Sequence, residues 1–348
     1  MLLLRKARQP EREVWSRERL LHARAVALGH AVEFSTAVTY SSHLNSYLNF
    51  CKSHNFPVDP TPETLSLFVV YTAHYIRPES VGCYLSGICN TLEPYFPHVR
   101  KSRRSALVSR SLAGMIKLRG GSPTKRKRPL SREDLATLVH AHAAPTHDDL
   151  LFRAIAFTGF FGLMRLGELM QSDNHLQRSS KKQTRRLSVT ISDTSYSLHL
   201  PYHKGDRFYE GNTVLITAIN QPVLNPIPHM QAYLQSRDAL YPLLPALWLT
   251  SAGAVPTYSW FVGQLKQILG DDVAGHSLRS GGATDLAIAG VPDSAIQALG
   301  RWASDTWRIY VRKHPVIVHA LIHGRSPFET SSSSLSTTHS SHPLPSRD

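Results

Sequence analysis

Arg165, Glu168, Lys204, His276, Arg279, Trp302 and Tyr310 stand in that order along the chain. Two arginines, a lysine and a histidine can neutralise and protonate a phosphodiester, and a tyrosine placed last can attack it. Cutting such a bond without a metal needs three things. Positive charge must cover the non-bridging oxygens as the five-coordinate phosphorus forms. A proton must reach the leaving 5′ oxygen. A nucleophile must approach in line. Arginine suits the first task because its planar fork matches two phosphate oxygens.

Each residue also has a plainer reading. Arg165 lies in the apolar stretch GFFGLMRLGELM (159–170), where a charge needs a partner or a ligand. Glu168, three residues on, would share its helix face and orient it, or the two form a local structural ion pair. His276 and Arg279 are also three apart, in GHSLRSGGATDLAIAG (275–290). If they open a helix they point the same way, beside backbone donors suited to an anion. Otherwise they are a capping histidine and a surface arginine. Gly281 and Gly282 permit close packing or close approach of a ligand. Lys204, in LPYHKGDRF (200–208), falls in a hairpin turn. A lysine there can reach into a cleft as general acid or simply sit in solvent, and Lys181 and Lys182 are the fallback candidates. Trp302, in LGRWASDTWRIYVR (299–312), has a ring nitrogen able to donate to a phosphate, although packing is the commoner role of indole. Tyr310 is the only tyrosine after Tyr258. Its plainer role is a core position of an amphipathic helix.

The elements that must hold these groups are mostly helical. Residues 1–30 are charged and helix-prone. Apolar residues recur at roughly helical spacing from Val38 to Cys51. FPVDPTP (56–62) breaks that pattern, and Pro62 suits the first turn of the next helix. A third helix is expected from Pro78, and a fourth over 102–118. Four short helices without strand signal describe a small bundle. Ser131 and Asp134 occupy capping-box positions of a further helix, and 148–170 reads as a buried helix pair. Residues 187–192, 196–201 and 212–219 alternate as strands of a small sheet. Residues 225–325 return to helix. The tail from Ser326 is Ser/Thr/Pro-rich and is expected to be disordered.

The chain of 348 residues carries a formal charge of +14, which favours a polyanionic partner. Lys101, Arg103, Arg104, Arg110, Lys117, Arg119, Lys125, Arg126, Lys127 and Arg128 form a stretch with no acid among them. That stretch is read as tracking DNA phosphates, as a nuclear localisation signal, or as a solvated linker. The three cysteines have no metal-ligand spacing, and their odd count argues against a disulfide framework. No apolar run approaches the roughly 18 residues of a membrane-spanning helix. The apolar start MLLL is too short for a signal-peptide core. A soluble intracellular protein is expected, with no metal, cofactor or small-molecule substrate.

Taken together, the four strings resemble the tyrosine recombinase, or phage-integrase-like, family of DNA breaking-rejoining enzymes. The resemblance is closest to integrase-like proteins of eukaryotic mobile elements. H-x-x-R-S-G-G-A-T, then an apolar helix, then G-R-W is its most specific part. The resemblance spans about 34–325. It implies a mainly α fold with a small antiparallel β-sheet: an N-terminal helical bundle (a SAM-like core-binding domain) and a C-terminal α+β integrase-like catalytic domain. The expected layout is a charged extension at 1–33, the DNA-binding bundle at 34–120, a basic linker at 121–129, the catalytic domain at 130–325 and the tail at 326–348. By resemblance, Tyr310 attacks the scissile phosphate and leaves a 3′-phosphotyrosyl link. Arg165 and Arg279 clamp the non-bridging oxygens, Lys204 protonates the leaving oxygen, His276 assists and Trp302 braces the phosphate. The family holds His or Trp at that last place. The Trp302–Tyr310 separation of eight is one shorter than in many bacterial and phage members. The implied partner is double-stranded DNA, gripped by two domains closing as a clamp, with a homotetramer on paired sites and, in a eukaryote, a nuclear location. The alternatives are a type IB topoisomerase-like relaxing enzyme, a domesticated DNA-binding protein without catalysis, and a purely structural helical protein.

Overall fold

The computed structural model describes residues 12–29, 31–121, 126–201, 211–304 and 308. The chain divides into two compact units, Met1–Lys125 and Arg126–Asp348.

The first unit is helical: α1 (Arg17–Gly29), α2 (Phe34–Ser53), α3 (Pro62–Thr72), α4 (Pro78–Leu92), α5 (Val99–Arg103) and α6 (Ala106–Arg119). Local chemistry sets the boundaries. Pro62 and Pro78 each stand in the first turn of a helix, where the missing N–H costs nothing. Thr61 caps α3 by accepting from the Thr64 N–H at 3.1 Å. The fourth helix expected over 102–118 is instead two. Ser105 is extended and accepts from the Val108 N–H, so a new helix starts at Ala106. Tyr47, Phe50, Leu65, Phe68, Val81, Leu85, Ile88 and Val108 make the core of this bundle. Helix α1 buries none of its residues.

The second unit contains α7 (Arg132–His140), α8 (His147–Phe161), the single turn α9 (Leu166–Leu169), a sheet, and α10 (Pro226–Leu240), α11 (Tyr258–Leu269), α12 (Gly275–Ile288) and α13 (Asp293–Leu299). The sheet is antiparallel with order β1 (Thr190–Ile191), β2 (Ser195–Leu200), β3 (Asn212–Thr217), and Leu200 pairs with Asn212. Alternation puts Tyr196, Leu198 and Leu200 of β2 into the core. The Tyr196 hydroxyl lies 2.8 Å from the Thr158 hydroxyl and ties the sheet to α8. α8 is the central helix, with α10 and α12 packed on it. At Gly282 a side chain would collide with the Phe160 carbonyl oxygen, so glycine lets α12 lie against α8. The fold is mainly α with a small antiparallel sheet, as the residue pattern implied.

Three further expectations change. The first strand is shorter than 187–192, because Arg186–Ser188 forms a 3-10 turn. The apolar stretch 148–170 is not a pair of comparable helices. α8 ends at Phe161, Leu163 takes a left-handed φ of 48°, and only one further turn follows. Part of the basic segment expected as a linker is bonded into the second unit. The Arg128 N–H donates to the Asp272 carbonyl and the Leu130 N–H to the Ser277 carbonyl, both at 2.9 Å. Among the described residues no helix is long and apolar enough to cross a membrane. The tail expected from Ser326 lies outside the described residues.

Candidate active site

Three segments of the second unit meet: the turn after α8, the start of α12 and the turn after α13. Arg165 is not inside a helix, as the apolar pattern suggested. It is extended and caps α9. Glu168 turns back on it. One carboxylate oxygen accepts the Arg165 backbone N–H and the other the Arg165 guanidinium, both at 2.9 Å. The spacing of three therefore works through a capping turn and not through a shared helix face. The Glu168 side chain is 5% exposed and that of Arg165 27%, so the carboxylate is buried and the guanidinium partly open.

His276 and Arg279 lie in the first turns of α12. The Ser277 hydroxyl accepts the Ala274 N–H at 2.9 Å and ends the preceding extended segment. His276 is exposed, while Arg279 is buried. Arg279 donates to the Leu163 carbonyl at 2.5 Å and to the Gly300 carbonyl, so it ties α12 to both turns. Its guanidinium carbon stands 4.1 Å from the centroid of the Trp302 ring, a cation–π geometry. The Trp302 ring packs with Leu163, Ala283 and Ile296 and lies across Gly300, where a side chain would collide with it. The packing role and the stacking role of Trp302 are thus joined.

Arg301 is the residue that sequence reasoning passed over. Its φ is +54°, in the left-handed region that a non-glycine residue rarely adopts. It donates to the Glu168 carboxylate at 3.0 Å and to the Leu163 carbonyl at 3.4 Å. Leu163 O and Glu168 are therefore shared acceptors for guanidinium groups from three segments. The signal was in the spacing, since Arg301, not Trp302, stands nine positions before Tyr310.

Lys204 and Tyr310 lie outside the described residues, as do Lys125 and Trp307. Lys204 belongs to the connection between β2 and β3. The fallback Lys181 is exposed, and it and Lys182 stand in a 3-10 turn before β1. The basic residues divide. Lys101, Arg104, Arg110, Lys117 and Arg119 are exposed on α5, α6 and the turn between them, and Arg126 is exposed in the second unit. Arg103 donates to the Gly82 carbonyl at 3.2 Å. Lys127 donates to the Asp271 carbonyl. Arg128 pairs with both Asp134 and Asp272, so its charge is spent inside the unit.

No protein-family model matches the chain, and no curated protein matches it. Solved structures do. The integrase of the transposon Tn1549 (residues 82–397), solved with circular intermediate DNA, is 13% identical with a TM-score of 0.55, over 87% of this chain and 98% of that one. A lambda integrase dimer (residues 75–356) bound to a COC′ core site is 15% identical with a TM-score of 0.53, over 85% and 94%. At such identities the likeness concerns the backbone. This chain therefore has the fold of these integrases.

Proposed function

We propose that the protein is a DNA strand transferase that cuts and rejoins duplex DNA through Tyr310. The observation that carries this reading is the joining of Arg165, Glu168, Arg279 and the turn at 300–302 within an integrase fold. Three guanidinium groups held by backbone carbonyls and one carboxylate concentrate positive charge, with Arg165 the partly open one. Preorganised charge of this kind stabilises the extra negative charge of a five-coordinate phosphorus.

In the forward step the Tyr310 phenolate oxygen bonds to phosphorus and the P–O5′ bond breaks. Lys204 gives its proton to the leaving oxygen, so a free 5′ hydroxyl results. His276, exposed at the start of α12, takes the tyrosine proton and passes it to solvent. The phosphate remains esterified to the 3′ end through Tyr310, and attack by a 5′ hydroxyl reverses the sequence. Bond energy is kept in the phosphotyrosine, so no nucleotide is consumed. The first unit binds DNA through its exposed bases, and the working assembly is a homotetramer on paired sites. A role in a mobile element and a nuclear location complete the reading.

The test uses a pool of nicked duplexes of randomised sequence. A short 5′ fragment diffuses away after cleavage and traps the covalent complex, which survives denaturation. Wild-type protein is expected to form the adduct, and Tyr310→Phe to bind DNA without forming it. An adduct from the phenylalanine variant removes Tyr310 as nucleophile. No adduct from the wild type leaves a DNA-binding protein without catalysis.

A further inference from the structure

We infer that Arg301, and not Trp302, is the residue of the 300–302 turn that serves the phosphate, as a positioning residue that acts on Arg165 through Glu168. The inference rests on the reading of the site as a phosphodiester-cleaving centre.

Arg301 is built in at some cost. A left-handed φ is disfavoured for a residue with a side chain by about 1 kcal/mol, and the side chain is 7% exposed. A buried guanidinium needs a counter-charge. The one it has, Glu168, is also the counter-charge of Arg165. Two guanidinium groups thus share one carboxylate, and among the described residues one positive charge stays uncompensated between them. The Arg301 Nε is also buried and has no hydrogen-bond partner among the described residues. Surplus positive charge of this kind suits an anion such as a phosphate oxygen.

The geometry gives Arg301 a specific effect. The Glu168 oxygen that takes the Arg165 backbone N–H also takes the Arg301 guanidinium. The other oxygen holds the Arg165 guanidinium. Arg301 therefore fixes the carboxylate that aims Arg165, and draws on its charge. Without Arg301, Glu168 would neutralise Arg165 alone, and the pair would offer the phosphate little net charge. Trp302 does different work. Its ring underlies Arg279 and fills an apolar pocket with Leu163, Ala283 and Ile296. That role needs an aromatic face and no N–H.

Charge on the phosphate separates the roles. A duplex captured by the wild-type protein is remade with a methylphosphonate at the cut position, which removes one negative charge and leaves the same P–O5′ bond to break. On ordinary phosphate, Arg301→Met is expected to slow adduct formation about a hundredfold, the scale of one lost electrostatic contact. On methylphosphonate it is expected to come within about tenfold of wild type, because less positive charge is required. Arg301→Lys keeps the charge without the fork and is expected to fall between. It also decides the matter if the methionine variant fails to fold. Trp302→Phe is expected to keep most of the rate, with the same loss on both substrates. Equal impairment of the Arg301 variants on both substrates makes Arg301 structural and overturns the inference, as does unimpaired cleavage. So does a charge-dependent loss in Trp302→Phe. A wild-type protein that forms no adduct on any duplex is a separate result. It sinks the proposed function, and this inference with it.

Discussion

Replacing Glu168 by glutamine keeps the shape of the side chain and removes its charge. The carboxylate accepts three hydrogen bonds, at 2.9, 2.9 and 3.0 Å, two of them from guanidinium groups. Glutamine has one acceptor oxygen and turns an NH2 toward a cation. Breaking a buried ion pair from one side costs about 3–5 kcal/mol, since the remaining charge stays buried. Arg165 is partly open to water, which takes up some of that loss, whereas Arg301 is nearly enclosed. The lower end, about 3 kcal/mol, is therefore expected. For a domain of roughly 150–250 residues, each kcal/mol moves Tm by about 2–4 °C, so the drop should be about 6–12 °C. Four of the five tryptophans, Trp248, Trp260, Trp302 and Trp307, belong to the second unit, so their fluorescence follows its unfolding. Function should change in a way that stability loss alone does not produce. Nonspecific DNA affinity should hold or rise, since a negative charge is gone, while adduct formation slows because Arg165 is no longer aimed. A Tm shift under about 2 °C would refute the claim that Glu168 is the counter-ion of this cluster.

Lys204→Ala should be rescued by a 5′-bridging phosphorothiolate, because a thiolate leaves without a proton. Rescue of Arg165→Ala to the same degree, or no rescue of Lys204→Ala, moves the acid elsewhere, with Lys181 and Lys182 next. Alanine at Lys101, Arg104, Arg110 and Lys117 should flatten the dependence of log affinity on log salt by up to about 3.6, at roughly 0.9 per phosphate contact. Base preference should survive, since phosphate contacts position and base contacts specify. An unchanged slope makes this face a solvated surface. Arg126→Ala with Lys127→Ala tests the transport reading, by loss of nuclear import at constant slope. Acid should weaken the second unit through Asp134. Burial pushes its carboxyl up, but the Arg128 guanidinium and the Ser131 N–H outweigh this and hold it below the usual aspartate value. A folded-state pKa below the unfolded one gives stability that is present at neutral pH and lost as pH falls through the aspartate range. Arg128→Met should shrink the difference in stability between pH 7 and pH 3. An unchanged difference shows that the pair carries no such linkage.

Local rules explain where most elements begin. Proline in the first turn starts α3 and α4, a Ser131–Asp134 capping box starts α7, and alternation marks β2 and β3. Each depends on residues a few positions apart, so each is legible in one sequence. The surroundings of Arg165 were not. An apolar run reads as helix, but α8 stops at Phe161 and the chain turns through Leu163, whose carbonyl accepts from Arg279 of α12, before it reaches Arg165.

Read as a string, the chain already holds the residue types able to handle a phosphodiester, their order, and the pattern of a mainly helical frame with a small sheet. These follow from side-chain chemistry and short-range periodicity. Which arginines share a carboxylate depends on long-range folding. The contact between Arg301 and Glu168 joins residues 133 positions apart, and the one between Arg279 and Leu163 joins residues 116 apart. Only tertiary structure showed that Arg128 is paired with Asp134 and Asp272 while Lys101 and Arg104 stay exposed. A string of bases looks uniform along a chain. Which of them remain charged toward solvent depends on the acids that folding brings beside them.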